Sequence, residues 1–175
     1  KQNNPALTLS LPISKEQVAQ YKDGTLPSTD WFNSTVRSNA PQFYQNLNVD
    51  GGTEDVKYFF NVGYLDQDAM WTSNSTQFKR YNLRSNLSAK INKRLTAELN
   101  LSGRLEHLQA SGVGSGLIMA TIKRLSPMSP IYANNNPNYL APSNVDQNTL
   151  AQTDSDISGY TNNRKKFFSG SSFPR

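Results

Sequence analysis

The chain has 175 residues, of which 35% are hydrophobic, and it carries a formal net charge of +5. Its mean hydropathy of -0.66 is that of an ordinary globular protein, and a domain of this length can bury a sizeable core. The sequence contains no run of about 18 apolar residues, which excludes a membrane-spanning helix. It contains no cysteine, so a disulfide framework and a thiolate metal site are also excluded.

Residues 1–41 are expected to form a helical and irregular lead-in. Ser14 and Gln17 have capping-box spacing and Gly24 can end a helix, which predicts a short helix over 15–22. The first eleven residues lack the basic and then apolar pattern of a signal peptide. This leaves three interpretations: a mature chain, a cytosolic protein, or an internal part of a longer chain. We favour the third.

Four segments alternate apolar and polar residues with period two, as β-strands with one apolar and one polar face do. The clearest alternation runs from Leu95 to Glu106. The predicted fold class is therefore all-β, an antiparallel meander. Its strands are expected at about 42–50, 55–64, 78–90 and 95–106, joined by a short turn after the first, a polar loop at 65–77 and a short turn at 92–94.

The cost of placing charge in lipid decides which face of this sheet could meet a membrane. Arg84 lies in the middle of the third predicted strand, and an arginine at the bilayer midplane of a barrel's outer face costs roughly 2–4 kcal/mol. The face with Arg84 must therefore point to water or into a lumen. Unequal connections and aromatic residues beside the 65–77 loop are typical of a transmembrane β-barrel wall. A half-buried sheet of a soluble protein explains the alternation equally well, so the pattern leaves both interpretations open.

Residues 107–175 are mostly polar, and a connection of this length usually indicates a functional loop or a missing structural context. A short helix is predicted over 117–125 and a fifth strand, with weak alternation, over 163–173. Arg164, Lys165 and Lys166 form the only run of basic residues. We interpret the run as a solvated surface, with phosphate binding as the alternative.

Several motifs resemble a known family when they are taken together in their order and spacing. They are Thr29-Asp30-Trp31, NLNVDGG over 46–52, YFFNVGYLDQ over 58–67 and FKRYNLRSNL over 78–87, with a proline-rich stretch over 127–132. In this combination the chain resembles the SusC/RagA-like TonB-dependent outer-membrane transporters over residues 12–140. The resemblance implies the end of a plug region over 1–41, the first barrel strands over 42–106 and a long extracellular loop region over 107–175.

The resemblance also implies a function and a set of partners. The chain would be part of a nutrient importer for oligosaccharides or peptides in the bacterial outer membrane, in contact with the lipid of that membrane. It would work with a SusD-like surface lipoprotein and with the TonB complex, which contacts a segment outside this chain. Such transporters close a large barrel of about 22 strands around a plug. The remaining strands of the same protein are therefore further expected partners.

Two sets of residues are predicted to touch the cargo or another part of the transporter. The polar face of the third and fourth strands would form a hydrogen-bonding wall toward the lumen, in contact with solute or plug. Its members are Arg80, Asn82, Arg84, Asn86, Asn100 and Arg104. In the 65–77 loop, Met70 and Trp71 are predicted to contact cargo or lid, with packing inside the loop as the alternative for Trp71.

No group of residues predicts catalysis, a cofactor or a metal site. His107 is the only histidine and has no evident triad partners, and the glycine-rich stretch at 112–116 has neither dinucleotide nor Walker spacing. The basic residues are scattered, so a nucleic-acid partner is not expected. The alternative function is a stand-alone soluble β-rich module that grips glycans through Trp31, Trp71 and loop asparagines.

Overall fold

The computed structural model describes residues 13–141 and 148–174, and the parts of the predicted lead-in and loop region outside these ranges are not covered. Its main element is one antiparallel sheet of five strands, each paired with its neighbour in sequence. The strands are β1 Gln42–Gly52, β2 Val56–Asp68, β3 Gln77–Asn92, β4 Leu95–Ser111 and β5 Tyr160–Pro174. The predicted all-β antiparallel meander is confirmed. The sheet is open, because β1 and β5 each have a strand on one side only.

The helices of the described residues are short. They are α1 Lys15–Lys22, α2 Trp31–Thr35, α3 Ser115–Ile122, α4 Thr149–Thr153 and α5 Ser155–Ser158, with a 3-10 turn at Ala133–Asn135. At the start of α1, the Ser14 hydroxyl accepts from the Gln17 amide and the Gln17 side chain accepts from the Ser14 amide, which completes the predicted capping box. None of the described helices is long and apolar enough to cross a membrane.

All five strands extend beyond their predicted ends, β1 and β3 by one or two residues. β2 continues to Asp68, β4 continues to Ser111, and β5 spans 160–174 instead of 163–173. In the extensions of β2 and β4 the two sides of the sheet change character, because Asp66 and His107 continue the side that is apolar elsewhere while Leu65 and Leu108 lie on the other side. The alternation from which the strands were predicted therefore does not continue into them. Backbone pairing continues through them nevertheless, for example between Asp66 and Lys79 and between Ser111 and Tyr160. The helix predicted at 117–125 begins two residues earlier and ends at Ile122.

The register brings the apolar faces of the strands to the same side of the sheet. Directly opposite residues in antiparallel strands share a face, and one such row runs Leu47, Val62, Leu83, Gly103, Phe168. The intervening residues of each strand form the opposite face, where one row runs Asn48, Asn61, Arg84, Ser102, Ser169. We call these the apolar face and the polar face.

The two short connections, 53–55 and 93–94, lie at one end of the sheet. The two long connections, 69–76 and 112–159, lie at the other end, because consecutive strands run in opposite directions. We call these the turn end and the loop end. The lead-in also joins the sheet at the loop end, since the first residue of β1, Gln42, pairs with Gln67 near the end of β2.

A small hydrophobic core lies at the loop end, and none of its described members belongs to a strand. Trp31 from α2, Trp71 from the 69–76 connection, and Ile118 and Ile122 from α3 are all buried and in one cluster. We call the packed segments 29–37, 69–76, 112–141 and 148–159 the loop cap. The sequence analysis separated 1–41 from 107–175 as different regions. In the structure residues from both belong to the same core, because α2 and α3 bury their apolar side chains against each other.

Polar groups also hold the loop cap together. Trp31 Nε1 donates to the Ser126 carbonyl over 3.0 Å, and Asn148 Nδ2 donates to the Ile131 carbonyl over 3.0 Å. The hydroxyls of Thr35 and Thr149, which are fully buried, lie 2.6 Å apart. At the start of α2, the backbone amide of Asn33 donates to the Asp30 side chain and holds the pKa of that carboxyl below its ordinary value.

Replacing Thr35 with valine is expected to destabilise the loop cap by about 1–3 kcal/mol, because the buried Thr149 hydroxyl loses its partner. Hydrogen exchange of the α3 amides measures the change. The double variant T35V/T149V serves as the control, since replacing both partners by apolar groups of similar shape is nearly neutral. A double variant as unstable as the single one would show that this hydrogen bond is not the cause.

Candidate functional site

The polar face brings the six predicted wall residues together. Asn82 pairs with Arg104 and Asn86 pairs with Asn100 across β3 and β4. Arg84 lies between these pairs, opposite Ser102, and Arg80 lies opposite Glu106. The six side chains share a face because they occupy even-numbered positions in two strands whose register pairs even with even.

Three asparagines extend this surface toward β1. The Asn61 amide donates to Asn46 Oδ1 over 2.6 Å and also to Asn48 Oδ1. Asn61 is the cross-strand partner of Arg84, so the amide cluster is continuous with the predicted wall. The sequence analysis did not connect Asn46 and Asn48 to the wall, because the pairing of β1 with β2 sets that contact.

Arg104 is held in place by two neighbours on the polar face. Its Nε lies 3.2 Å from Glu106 Oε1, and its guanidinium carbon lies 4.5 Å from the centre of the Phe167 ring. Because the Arg104 side chain is 45% exposed, the ion pair contributes little to stability and chiefly orients the guanidinium group. The weak alternation of the fifth strand gave no signal for Phe167.

Arg80 differs from the other wall residues in its surroundings. It lies between Leu65, which is buried, and Glu106. Arg80 Nε is buried and has no hydrogen-bond partner among the described residues. An unpaired buried donor costs about 1–3 kcal/mol, so an acceptor from another part of the protein or from a solute would be bound favourably here.

The apolar face is exposed although it carries large hydrophobic side chains. Leu47 is 64% exposed, Leu83 46% and Leu101 47%. Others on the same face are 40% exposed or more, among them Val49, Tyr58, Phe60, Val62, Tyr81, Leu87, Leu99 and Phe168. Contiguous apolar surfaces of this kind on a protein mark contact with a partner or a membrane.

The two predicted loop contacts have different environments. Met70 is 49% exposed and lies on the surface of the loop cap. Trp71 is only 3% exposed, in the core beside Trp31 and Ile118. Trp71 is thus unable to stack on a cargo in this structure, and packing within the loop, the alternative interpretation, describes its position. Trp31 is equally buried, which removes both tryptophans that the glycan-binding alternative would use.

The chain therefore belongs to a simple structural class. It forms an open antiparallel sheet that has one exposed apolar face and one hydrogen-bonding face. No known protein family matches the chain, and no curated protein matches it. Among solved structures it is similar to a chain of the RagAB peptide transporter, with 30% identity and a TM-score of 0.42. The likeness covers 47% of this chain and 9% of the transporter chain, which is a loose relation.

Proposed function

We propose that the sheet is a segment of the wall of a transmembrane β-barrel in a bacterial outer membrane. The exposed apolar face carries this proposal. Its apolar residues on β3 reach from Tyr81 to Ile91, ten residues on, which at about 3.3 Å per residue is about 33 Å along the strand. A strand tilt of about 40° reduces this length to a height of about 25 Å, which is the height of the apolar band of outer-membrane barrels. Leu95 and Leu105 bound an equal stretch of β4.

The open edges of the sheet support the same proposal. In a hydrocarbon environment each unsatisfied backbone group costs several kcal/mol, so the free edges of β1 and β5 require further strands. We take these to be the remaining barrel strands of the same protein. The polar face then points into the lumen, where Arg84 and its neighbours stay hydrated or contact other parts of the protein.

Within such a barrel, the chain would serve the import of a nutrient. The resemblance of its motifs to TonB-dependent SusC/RagA-like transporters favours an oligosaccharide or a peptide as cargo. A SusD-like surface lipoprotein and the TonB complex would be the partners. Hydrogen bonds to plug or solute would come from the six wall residues, Arg80, Asn82, Arg84, Asn86, Asn100 and Arg104. Among their donors, the Nε of Arg80 has no partner in the described residues, so a new hydrogen bond there would be the most favourable. The loop cap, with Met70 on its surface, would face the outside, and no covalent bond would be made or broken.

Nitroxide labels on the two faces test the proposal in the intact protein reconstituted into lipid vesicles. The chain contains no cysteine, so in a background from which any cysteine of the remaining protein has been removed, single cysteines at Leu83 and Leu99 can be labelled, with Ser102 as the matched control on the polar face. Labels at Leu83 and Leu99 are expected to collide with oxygen dissolved in the bilayer and not with a water-soluble nickel chelate. The label at Ser102 is expected to be shielded from the dissolved oxygen. Labels at Leu83 and Leu99 that are shielded from oxygen would reject the barrel assignment.

A further inference from the structure

A row of charged side chains crosses the apolar face at its loop end. Tyr64 and Tyr81 lie side by side on this face with ring centres 5.0 Å apart. One row further toward the loop end, the register aligns Asp66, Lys79 and His107 with Arg164. In a membrane protein, aromatic rings are expected at the edge of the bilayer's apolar interior and charged groups at the level of the headgroups. The two rows have this spatial order.

The basic run Arg164-Lys165-Lys166 is divided between the two faces by the alternation of β5. Arg164 pairs with His107 and Lys166 pairs with Leu105, so both lie on the apolar face. Lys165 pairs with Glu106 and lies on the polar face. The three cations are therefore exposed on two different faces, and the alternative of phosphate binding concerns the two that project from the apolar face.

Arg164 in this row and Lys166 in the neighbouring row of Tyr64 and Tyr81 are the available cations. Lys79 Nζ lies 3.7 Å from Asp66 Oδ2, and that oxygen also accepts from the Tyr64 hydroxyl over 2.9 Å. His107 Nε2 lies 2.9 Å from Asn162 Oδ1. Arg164 and Lys166 are exposed and form no ion pair with any residue that the structure describes. Asp66, the acidic group of this row, lies on β2, three strands away from β5, and is already paired there with Lys79 and Tyr64.

The opposite end of the apolar face has a different character. Its outermost positions in β2 and β4 are Val56 and Leu95, and in β3 Ile91 lies at a register shift beside Asn92, which pairs with Leu95. The basic residues of these strands near the turn end, Lys57 and Lys90, occupy polar-face positions, as the pairs Lys57 with Ser88 and Lys90 with Thr96 show. In the described strands, basic side chains on the apolar face are therefore confined to the loop end.

We propose that Arg164 and Lys166 bind the phosphate groups of lipid headgroups in the membrane leaflet at the loop end. The inference rests on the proposed barrel and names a ligand for its outer surface. An arginine can hold a phosphate through two parallel hydrogen bonds, and a lysine beside Leu105 can lay its methylenes on apolar surface while its ammonium reaches the headgroup layer. Continuity with the apolar face favours a lipid over free phosphate, because acyl chains would cover the face directly below.

Lipid retention by the intact protein tests the site. The protein is reconstituted in phosphatidylcholine nanodiscs containing either phosphorylated lipid A or dephosphorylated lipid A, and the lipid A retained after release is counted by native mass spectrometry. Each cation near an anionic membrane surface strengthens binding by about fivefold, so the double variant R164Q/K166Q is expected to bind phosphorylated lipid A about 25-fold more weakly. The control K57Q/K165Q removes the same charge from the polar face and is expected to retain the lipid as the unmodified protein does.

The possible outcomes separate this inference from the proposed function. Equal retention by both double variants, or equal retention of the two forms of lipid A, would overturn the lipid site. Complete displacement of lipid A by inorganic phosphate would overturn it as well, because the ligand would then be the free ion. If the nitroxide labels at Leu83 and Leu99 still report lipid in those cases, the barrel stands and only the headgroup site fails.

Discussion

Replacing Leu101 with arginine is expected to destabilise the membrane-inserted protein by about 2–4 kcal/mol. Leu101 lies on the apolar face opposite Gly170, between Leu95 and Leu105, which bound the apolar stretch of β4. This position is near the middle of the proposed membrane-spanning height, where a guanidinium group is furthest from water. Denaturant unfolding of the intact protein in lipid vesicles measures the change.

Two matched variants distinguish a lipid environment from a buried protein layer. Ser169 lies next to Gly170 in β5 but on the polar face, opposite Ser102, and S169R is expected to have little effect. Leu105 lies on the apolar face at the level of Tyr81, and L105R is expected to cost only about 0–1 kcal/mol, as charged residues near the bilayer interface do. A cost that is the same at Leu101 and Leu105 would contradict the bilayer, because a covering protein layer has no such dependence on depth.

The central part of the sheet was predictable because its signal is local and periodic. In β4, the odd positions from Leu95 to Leu105 are apolar or small and the even positions are polar, so the strand and its two faces follow from the sequence. The same logic placed the six wall residues on one face before any register was known. The pairing of Asn86 with Asn100, and of Asn82 with Arg104, adds which of them are neighbours.

The sheet beyond this region could not be predicted from periodicity. Near Asp66, Lys79 and His107 the apolar face becomes polar, whereas Leu65, Phe78 and Leu108 lie on the polar face, so the assignment of faces that predicted the strands ends there and backbone pairing continues them. In β5 the apolar face carries Lys166 next to Phe168, so the alternation appears weak although the pairing with β4 is regular. At the proposed headgroup level a basic side chain on the apolar face is favourable, and the mixed pattern follows from that environment.

The loop cap depends on contacts between segments that are distant in sequence. In the sequence, Trp71 lies in a polar loop and was predicted to be on its surface. The structure shows its neighbours Met70 and Thr72 exposed but Trp71 itself buried. It is buried because α2 and α3 bring Trp31 and Ile118 to it. Nothing in the local sequence around any one of these residues indicates the other two, so only the chain path at the loop end decides their burial.

Replacing Trp71 with alanine is therefore expected to lower the free energy of opening the loop cap by about 3–5 kcal/mol, the usual cost of truncating a buried tryptophan. Hydrogen exchange of the α3 amides and limited proteolysis within 112–141 measure the opening.

The neighbouring variant M70A is the control, and it is expected to change stability by less than about 0.5 kcal/mol because Met70 is exposed. Amides in β3 and β4 should keep their protection in both variants, since no described member of the loop-cap core belongs to a strand. If W71A instead exposed the sheet amides and left α3 protected, the loop cap would not be an independent packing unit.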